Sequence, residues 1–568
     1  MLSLRHCSKS ARYTLRPRPL ATLDRVYIRP VGYRLLSTST SEDYDVVIIG
    51  GGPAGLALAA GLGTNVITSR LKIALVEASG LDKVRNWTEA AGQYSNRVSS
   101  LTNESVAFIH STGAWEYVDT RRACPLEAMQ VWDGISDARI HFSPSDLARL
   151  PTTGTIPESM AMMTENLNLQ QGLLRKLESV PNVKLLDTTK VEGIQSGSGD
   201  YNSWPVVNTS TGKSLRSRLL IGADGFNSPV RKFAGIESSV WAYDTHAVVA
   251  TLFHSHREKY ATLAHLEQPN STAFQRFLTT GPIACLPLSP TASSLVWSTT
   301  PAIASALKAS SPATLAIFVN AAFRLPDSAL QNLYSVLLAS HQKETPLSPE
   351  VARAEVQQAE IAHSIQPHDA RASADIDSLT KGVLPEGSNL LPPLVIGIQD
   401  KSVAGFPLKY SHAETYIGTG QGARTVLVGD AAHTVHPLAG QGLNMGSYTA
   451  LLPYMRARYM HNQSLLLATD SLHKLYGTTA PPIVWARSTG LEIINELSTI
   501  KGALMGVAGA SPGNASTSWW HAAASGLEGL AGAGDVLRAV GGSLKDTLTK
   551  SGSSLIQGGV NALKNSGR

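Results

Sequence analysis

From residue 43 onward, two short apolar runs flank a stretch rich in alanine and leucine. Tyr44-Asp-Val-Val-Ile-Ile-Gly50 reads as a buried strand, Gly51–Gly55 as a turn, and Leu56-Ala-Leu-Ala-Ala60 as the start of a helix. Leu71-Lys-Ile-Ala-Leu-Val-Glu77 is a second strand of the same kind. Two apolar runs of strand length around a helix predict a βαβ unit in a parallel sheet, whose strands are covered on both faces and show little polar alternation. Ser217-Arg-Leu-Leu-Ile-Gly222 and, much later, Thr425-Val-Leu-Val-Gly429 repeat that character, so distant segments are expected to return to one sheet. Between residues 240 and 408 the pattern changes. Trp241–Phe253, Thr272–Phe277 and Ser294–Ser298 are short, aromatic and β-branched, as antiparallel strands often are. Ile303–His341 reads as helices, and 347–389 as a polar insertion. There is no internal repeat. The fold class expected is α/β, a Rossmann-like domain with an inserted mixed or antiparallel β-sheet domain and C-terminal helices.

Three glycine-rich turns carry the candidate chemistry. Gly50-x-Gly52-x-x-Gly55 follows a strand and opens a helix. Gly50 permits the tight turn, Gly52 lets backbone N–H groups approach a pyrophosphate, and Gly55 allows close helix–strand packing. Glu77 ends the next strand, where an acid would accept hydrogen bonds from a ribose hydroxyl, so the unit predicts a dinucleotide site. An acid there suits the adenosine ribose of FAD or NAD and disfavours a 2′-phosphate. The second turn is Gly222-Ala-Asp224-Gly225-Phe-Asn-Ser228-Pro-Val-Arg231; Asp-Gly by itself is a common turn dipeptide. In the third, Gly429-Asp430-Ala-Ala-His433-x-x-His436-Pro437-x-x-Gly440-Gln-Gly442-Leu443-Asn444, a strand delivers an acid to its C-terminal end. Such an acid can accept hydrogen bonds from the hydroxyls of a polyol, and a helix start near 440–444 could stabilise negative charge on a reduced flavin. His433 and His436 lack a third metal ligand.

Composition and charge narrow the class. A chain of 568 residues, 43% hydrophobic and 16% charged, has the means to bury more than one core. The formal charge of +5 is unevenly placed. Residues 1–40 hold eight Lys/Arg against Asp24 alone, which leaves 40 basic and 42 acidic residues beyond them. That Arg-rich, acid-poor, Ser/Thr-containing leader has the composition of a mitochondrial transit peptide, and without it no basic surplus remains to bind nucleic acid. The leader has no apolar region of secretory type. The run Val46–Gly63 is uncharged, but its six glycines and Pro53 make it a poor membrane span. Cys7, Cys124 and Cys285 form no CxxC, so a disulfide framework, a disulfide-reductase dithiol and a zinc site are all unsupported.

The three turns, in this order and at these wide spacings, resemble the aromatic-hydroxylase class of FAD-dependent monooxygenases. The intervening segments sharpen the likeness. Asn96-Arg97-Val-Ser-Ser, Met129-Gln-Val-Trp132-Asp133-Gly134, Glu165-Asn166-Leu-Asn-Leu, Ala273-Phe-Gln-Arg276-Phe277, Gly281-Pro-Ile-Ala-Cys-Leu-Pro-Leu288 and Ser488-Thr-Gly-Leu-Glu-Ile-Ile-Asn495 look like those of the ubiquinone-biosynthesis hydroxylases, the mitochondrial coenzyme Q ring hydroxylase family. The resemblance runs from about residue 43 to residue 508.

That resemblance implies FAD as cofactor. Gly50, Gly52, Gly55 and Glu77 would hold its ADP half, and Arg97 and Asn166 its phosphate or ribityl portion. Asp224 matches a position tied to both FAD and pyridine nucleotide. Gly429 and Asp430 would meet the ribityl chain, while Pro437, Gly440, Gly442, Leu443 and Asn444 would edge the isoalloxazine. The implied reaction is hydroxylation at C5 of a polyprenylated 4-hydroxybenzoate-type phenol by O₂ through a flavin C4a-hydroperoxide, with no side-chain nucleophile or metal needed. Ferredoxin with its reductase, or NAD(P)H, would supply electrons. The implied setting is the matrix face of the mitochondrial inner membrane, with peripheral attachment among other quinone-synthesis proteins. The domains expected are a transit peptide at 1–40, an FAD-binding domain at 41–240 with substrate-domain segments between 85 and 150, and a substrate sheet at 241–408. The chain would return to the FAD domain at 409–450, then form a helical region at 451–508 and a Gly/Ala/Ser-rich tail at 509–568. An apolar prenyl tail needs an access channel, which Arg276, Phe274 or Phe277 could line unless they are core residues.

Two features depart from the family. The helix after Gly446 is expected to be short, because Ser447-Tyr-Thr-Ala-Leu-Leu-Pro453 follows at once, which reads either as weakened FAD retention or as an error in the coding sequence. In the tail, Leu537, Val540, Leu544 and Leu548 share a helical face beside Lys545 and Lys550, which reads either as a membrane-surface or partner helix or as a loosely ordered tail. Two other readings stay open at this point: a related reductase or oxidase acting on an isoprenoid, and a non-catalytic subunit of a quinone-synthesis assembly.

Overall fold

The computed structural model describes residues 41–147, 158–197, 204–254, 257–258, 267–268, 270–375, 386–434, 462, 468–497, 501 and 504–505. Its first sheet is built around Ser41–Ile49, flanked in parallel by Ile73–Val76 on one side and Ser214–Gly222 on the other. Val183–Leu186 extends it in parallel beyond Ile73–Val76, and Thr425–Leu427 pairs in parallel with Ser214–Gly222. Pro205–Thr209 and Val191–Ser196 complete it as an antiparallel edge. Val47, Ile48, Ile73, Ala74 and Leu75 are wholly buried, as expected of parallel strands covered on both faces. The uncharged run Val46–Gly63 is therefore the end of a strand, a turn, and most of the helix Pro53–Thr64. Among the described residues no helix is long and apolar enough to cross a membrane.

The second sheet has nine strands and is antiparallel except where Thr272–Leu278 runs parallel to Ala128–Asp133. Its long central strand, Ser238–His254, pairs with Ala292–Thr299 on one side and Ala404–Ala413 on the other. Four helices lie against it: Pro301–Ala309, Pro312–Arg324, Asp327–Gln342 and Pro349–Ala362. Three of them start alike. Thr300, Ser311 and Ser348 each accept a hydrogen bond from the backbone N–H three residues on, and proline follows at the first helical position, where its missing N–H costs nothing. The helix Pro349–Ala362 falls within the span that sequence marks as a polar insertion; Ala352 and Val356 are its contribution to the core.

Arg276 is not a channel residue. It is buried, and its guanidinium donates to the carbonyls of Ala322 and Leu325 at 2.9 and 2.8 Å, capping the C-terminus of the Pro312–Arg324 helix. Burial lowers its pKa to about 10, which still leaves it charged at neutral pH. Phe274 and Phe277 are buried in the second sheet's core and its edge cluster. Beyond these, the helix Pro481–Glu496 is tied to the end of Ala128–Asp133 by a buried ion pair, Arg487 to Asp133, at 2.9 Å.

Candidate functional site

The three turns meet at the C-terminal ends of the first sheet's strands. Gly50 follows the first strand with φ +111°, a conformation that suits glycine, and a Cβ there would stand 2.2 Å from the Ala223 carbonyl oxygen. The first and second turns are therefore in backbone contact. A Cβ on Gly429 would stand 3.1 Å from the Ala54 methyl, which places the third turn against the first. Arg231 joins the remaining pair: its guanidinium donates to the Ala431 carbonyl at 2.7 Å and to the Phe226 carbonyl at 2.5 Å. Segments separated by most of the chain thus form one constellation.

Its chemistry is that of an anion and polyol cradle. Gly52 caps the helix Pro53–Thr64 in an extended conformation, with no side-chain cap and no acid in the first turn. A Cβ on Gly52 would meet nothing within 4 Å among the described residues, so there open space lies in front of uncapped N–H groups at the positive end of a helix dipole. Glu77 closes one side. Its carboxylate accepts from Gly51 N–H at 2.6 Å and from Ser79 N–H at 2.8 Å, which fixes the acid beside the turn.

A second helix, Asn166–Glu178, packs against Pro53–Thr64 and also lacks a side-chain cap and an early acid. Gln170, one turn into it, donates to the Gly51 carbonyl at 3.4 Å. Asn166 accepts from the Ser99 hydroxyl at 2.6 Å, and its N–H donates to the Arg97 carbonyl at 3.0 Å. Arg97 is exposed, and among the described residues no acid or carbonyl holds its guanidinium.

The two aspartates differ. Asp224 is half-buried, and burial raises its carboxyl despite bonds from the Ser228 hydroxyl and from Val230 N–H at 3.1 Å. Its Oδ1 has no partner among the described residues. Asp430 sits in a turn begun by Gly429 at φ +60°. Protein packed beneath it raises its carboxyl by desolvation, yet its outer side is open to solvent and no described residue donates to it. Behind it, His433 pairs in register with His412, which bonds to the Tyr416 hydroxyl at 2.8 Å. Burial lowers His412 to about 4, so it is neutral at physiological pH.

Gly50, Gly52, Gly55, Glu77, Arg97, Asn166, Asp224, Gly429 and Asp430 are thus brought around one region. Pro437, Gly440, Gly442, Leu443 and Asn444 lie outside the described residues, as do the segment after Gly446 and the tail. Sequence reasoning gave no role to Ser99, Gln170 or Arg231. Arg231 was visible as part of a motif, but its bond to the third turn has no local signature.

Comparison with known proteins fits this geometry. Residues 43–305 match a family model described as an FAD binding domain. The chain is 35% identical to the ubiquinone biosynthesis monooxygenase COQ6, mitochondrial, of Schizosaccharomyces pombe, over 81% of this chain and 90% of that one. The chain belongs to the ubiquinone-biosynthesis monooxygenase family. The Saccharomyces cerevisiae and human members are each 34% identical, covering 85% and 84% of this chain and 97% and 94% of their own lengths. Among solved structures, p-nitrophenol 4-monooxygenase PnpA of Pseudomonas putida superposes with a TM-score of 0.51 at 15% identity, covering 82% of this chain and 97% of that one. That likeness shows the shared fold. As a member of the family, the chain is an FAD-dependent monooxygenase, and FAD is its cofactor.

Proposed function

We propose that the chain hydroxylates, at C5, the aromatic ring of a polyprenylated 4-hydroxybenzoate-type phenol in ubiquinone biosynthesis, consuming O₂. The observation that carries this reading is the meeting of the three turns around uncapped helix N-termini, with the open Asp430 carboxylate at one side. These residues fit FAD. Gly52 leaves the space a pyrophosphate needs, two helix dipoles and Arg97 match its charge, Glu77 suits a ribose, and Asp430 is an acceptor awaiting hydroxyl donors. When bound, reduced FAD supplies the activation of dioxygen. The chain's own part is to hold the cofactor, orient the phenol, exclude water and stabilise charge, which requires no side-chain nucleophile. Pro437, Gly440, Gly442, Leu443 and Asn444 take the isoalloxazine edge in this reading.

The domain plan set out from sequence accompanies the proposal, with residues 1–40 as the transit peptide. The wider setting is mitochondrial, as the names of the relatives suggest: the matrix face of the inner membrane, attached peripherally beside other quinone-synthesis proteins. Ferredoxin with its reductase, or NAD(P)H, reduces the cofactor.

Asp430 and Asp224 test the assignment. Asp430 has acceptor capacity that no described residue uses, whereas one Asp224 oxygen is already engaged by its own turn. Asp430→Ala is expected to weaken FAD binding by about ten-fold or more, and by more than Asp224→Ala does, read as flavin retained through gel filtration. Equal retention in the two variants would remove the ribityl role from Asp430.

A further inference from the structure

Residues 93–97 run between the second sheet and a small three-stranded sheet without regular structure, yet each of residues 93–96 is held. Tyr94 and Gln399 exchange two hydrogen bonds: Tyr94 N–H donates to Gln399 Oε1 and Gln399 Nε2 donates to the Tyr94 carbonyl, both at 2.8 Å. Asn96 Nδ2 donates to the Ser402 carbonyl at 2.6 Å. Gln399 and Ser402 are themselves fixed to the central strand of the second sheet. Gln399 N–H donates to the Thr251 carbonyl at 2.9 Å, and Thr251 N–H donates to the Ser402 hydroxyl at 3.0 Å.

The other side of the strap is held from the small sheet of Val98–Thr102, Ala123–Leu126 and Ala161–Glu165. Buried Glu165 accepts from Ser95 N–H at 2.5 Å and from Arg122 Nε at 2.6 Å. Arg122 donates to the Gln93 carbonyl at 2.7 Å and lies over the rings of Trp87 and Tyr94, at 5.2 and 4.9 Å. So much anchoring for so short a segment calls for a purpose. The next residue is Arg97, whose backbone is bonded to Asn166 and whose guanidinium has no partner among the described residues.

We propose that residues 93–97 form a strap clasped to the second sheet by Gln399 and Ser402, and that the clasp positions the Arg97 guanidinium for the anionic portion of the cofactor. Gln399 is then a positioning residue for FAD that acts through Arg97. A long cationic side chain on a loose segment loses much freedom when it binds; on an anchored one, part of that loss is already met by folding. The inference rests on the reading that Arg97 meets FAD, and the test separates the two.

Apoprotein is titrated with FAD by flavin fluorescence, with thermal melting of each apoprotein followed in parallel. Gln399→Leu is expected to raise the FAD Kd about ten-fold, and Gln399→Glu, which keeps the acceptor for Tyr94 N–H, to raise it less. In an Arg97→Gln background, the same Gln399→Leu change is expected to add less than about two-fold, since both act through one contact. An unchanged Kd in Gln399→Leu, with weakened binding in Arg97→Gln, overturns the clasp and leaves the Arg97 reading standing. An unchanged Kd in Arg97→Gln overturns that reading and the clasp with it. Full additivity of the two changes overturns action through Arg97. Should Gln399→Leu apoprotein not fold, Asn96→Ala, which removes only the bond to Ser402, carries the same expectations.

Discussion

Gly52→Asp is expected to give a folded apoprotein, melting at or slightly above the native temperature, whose affinity for FAD is lowered at least about 100-fold, a little under 3 kcal/mol. The two effects have opposite signs because one position serves two purposes. Gly52 is the N-cap of Pro53–Thr64 with φ −69° and ψ 176°, an extended geometry that aspartate adopts without strain. Its added Cβ meets nothing within 4 Å among the described residues, which admit the side chain. Aspartate is also a better N-cap than glycine by a few tenths of a kcal/mol, since its carboxylate satisfies orphan N–H groups. In the bound protein those N–H groups face a pyrophosphate, and a carboxylate placed there both fills the space and repels the ligand. Calorimetric titration with FAD and a melting curve of the apoprotein measure both effects. Native affinity in the folded variant would mean that the pyrophosphate lies elsewhere.

Arg487→Leu is expected to destabilise the protein by about 3–5 kcal/mol, the usual cost of stranding one member of a buried ion pair. Arg487 and Asp133 have side chains only 1% and 0% exposed. The guanidinium reaches both carboxylate oxygens, at 2.9 and 3.2 Å, and also holds the carbonyls of Leu475 and Thr478 at 2.8 and 2.9 Å. Its loss leaves Asp133 with neutral donors alone, the Ser136 hydroxyl at 2.8 Å and the Ser488 hydroxyl and Ile135 N–H at 3.4 Å, and frees the turn that leads into Pro481–Glu496. Replacing both partners by leucine is expected to recover most of the loss, because no uncompensated charge then remains. Denaturant unfolding of the single and double variants decides the matter. A single variant as stable as the native protein would show that the pair does not secure the helix Pro481–Glu496.

Local chemistry was legible in the sequence where neighbours in the chain are also neighbours in space. The strand before Gly50, the turn, the helix and Glu77 lie within one βαβ unit, and periodicity with spacing was enough to read them. The Ser/Thr-Pro helix starts at residues 300, 311 and 348 carry a local signature of the same kind. The helix Pro349–Ala362 escaped because Ala352 and Val356 are nearly its whole apolar face, too thin a stripe to stand out from polar neighbours. Asp224 needed family resemblance, since an Asp-Gly turn alone says little, whereas the apolar strand before Asp430 already placed that acid at a strand end. The contacts that assemble the site were beyond reach. Gly429 against Ala54, Arg231 against Ala431 and Gln399 against Tyr94 each join residues that no sequence window contains. Arg276 shows the opposite hazard: the channel that an apolar prenyl tail needs suggested it as a lining residue, and its carbonyl partners make it a helix cap.

The central claim is that this cradle serves an oxygen-inserting reaction on a phenol. Its most direct test is to reduce the FAD-loaded protein without air in the presence of a prenylated 4-hydroxybenzoate-type phenol, then admit isotopically labelled dioxygen and analyse the phenol by mass spectrometry. The predicted result is a ring-hydroxylated product carrying one labelled oxygen atom, formed only when the phenol is bound. Quantitative hydrogen peroxide with the phenol unchanged would contradict it.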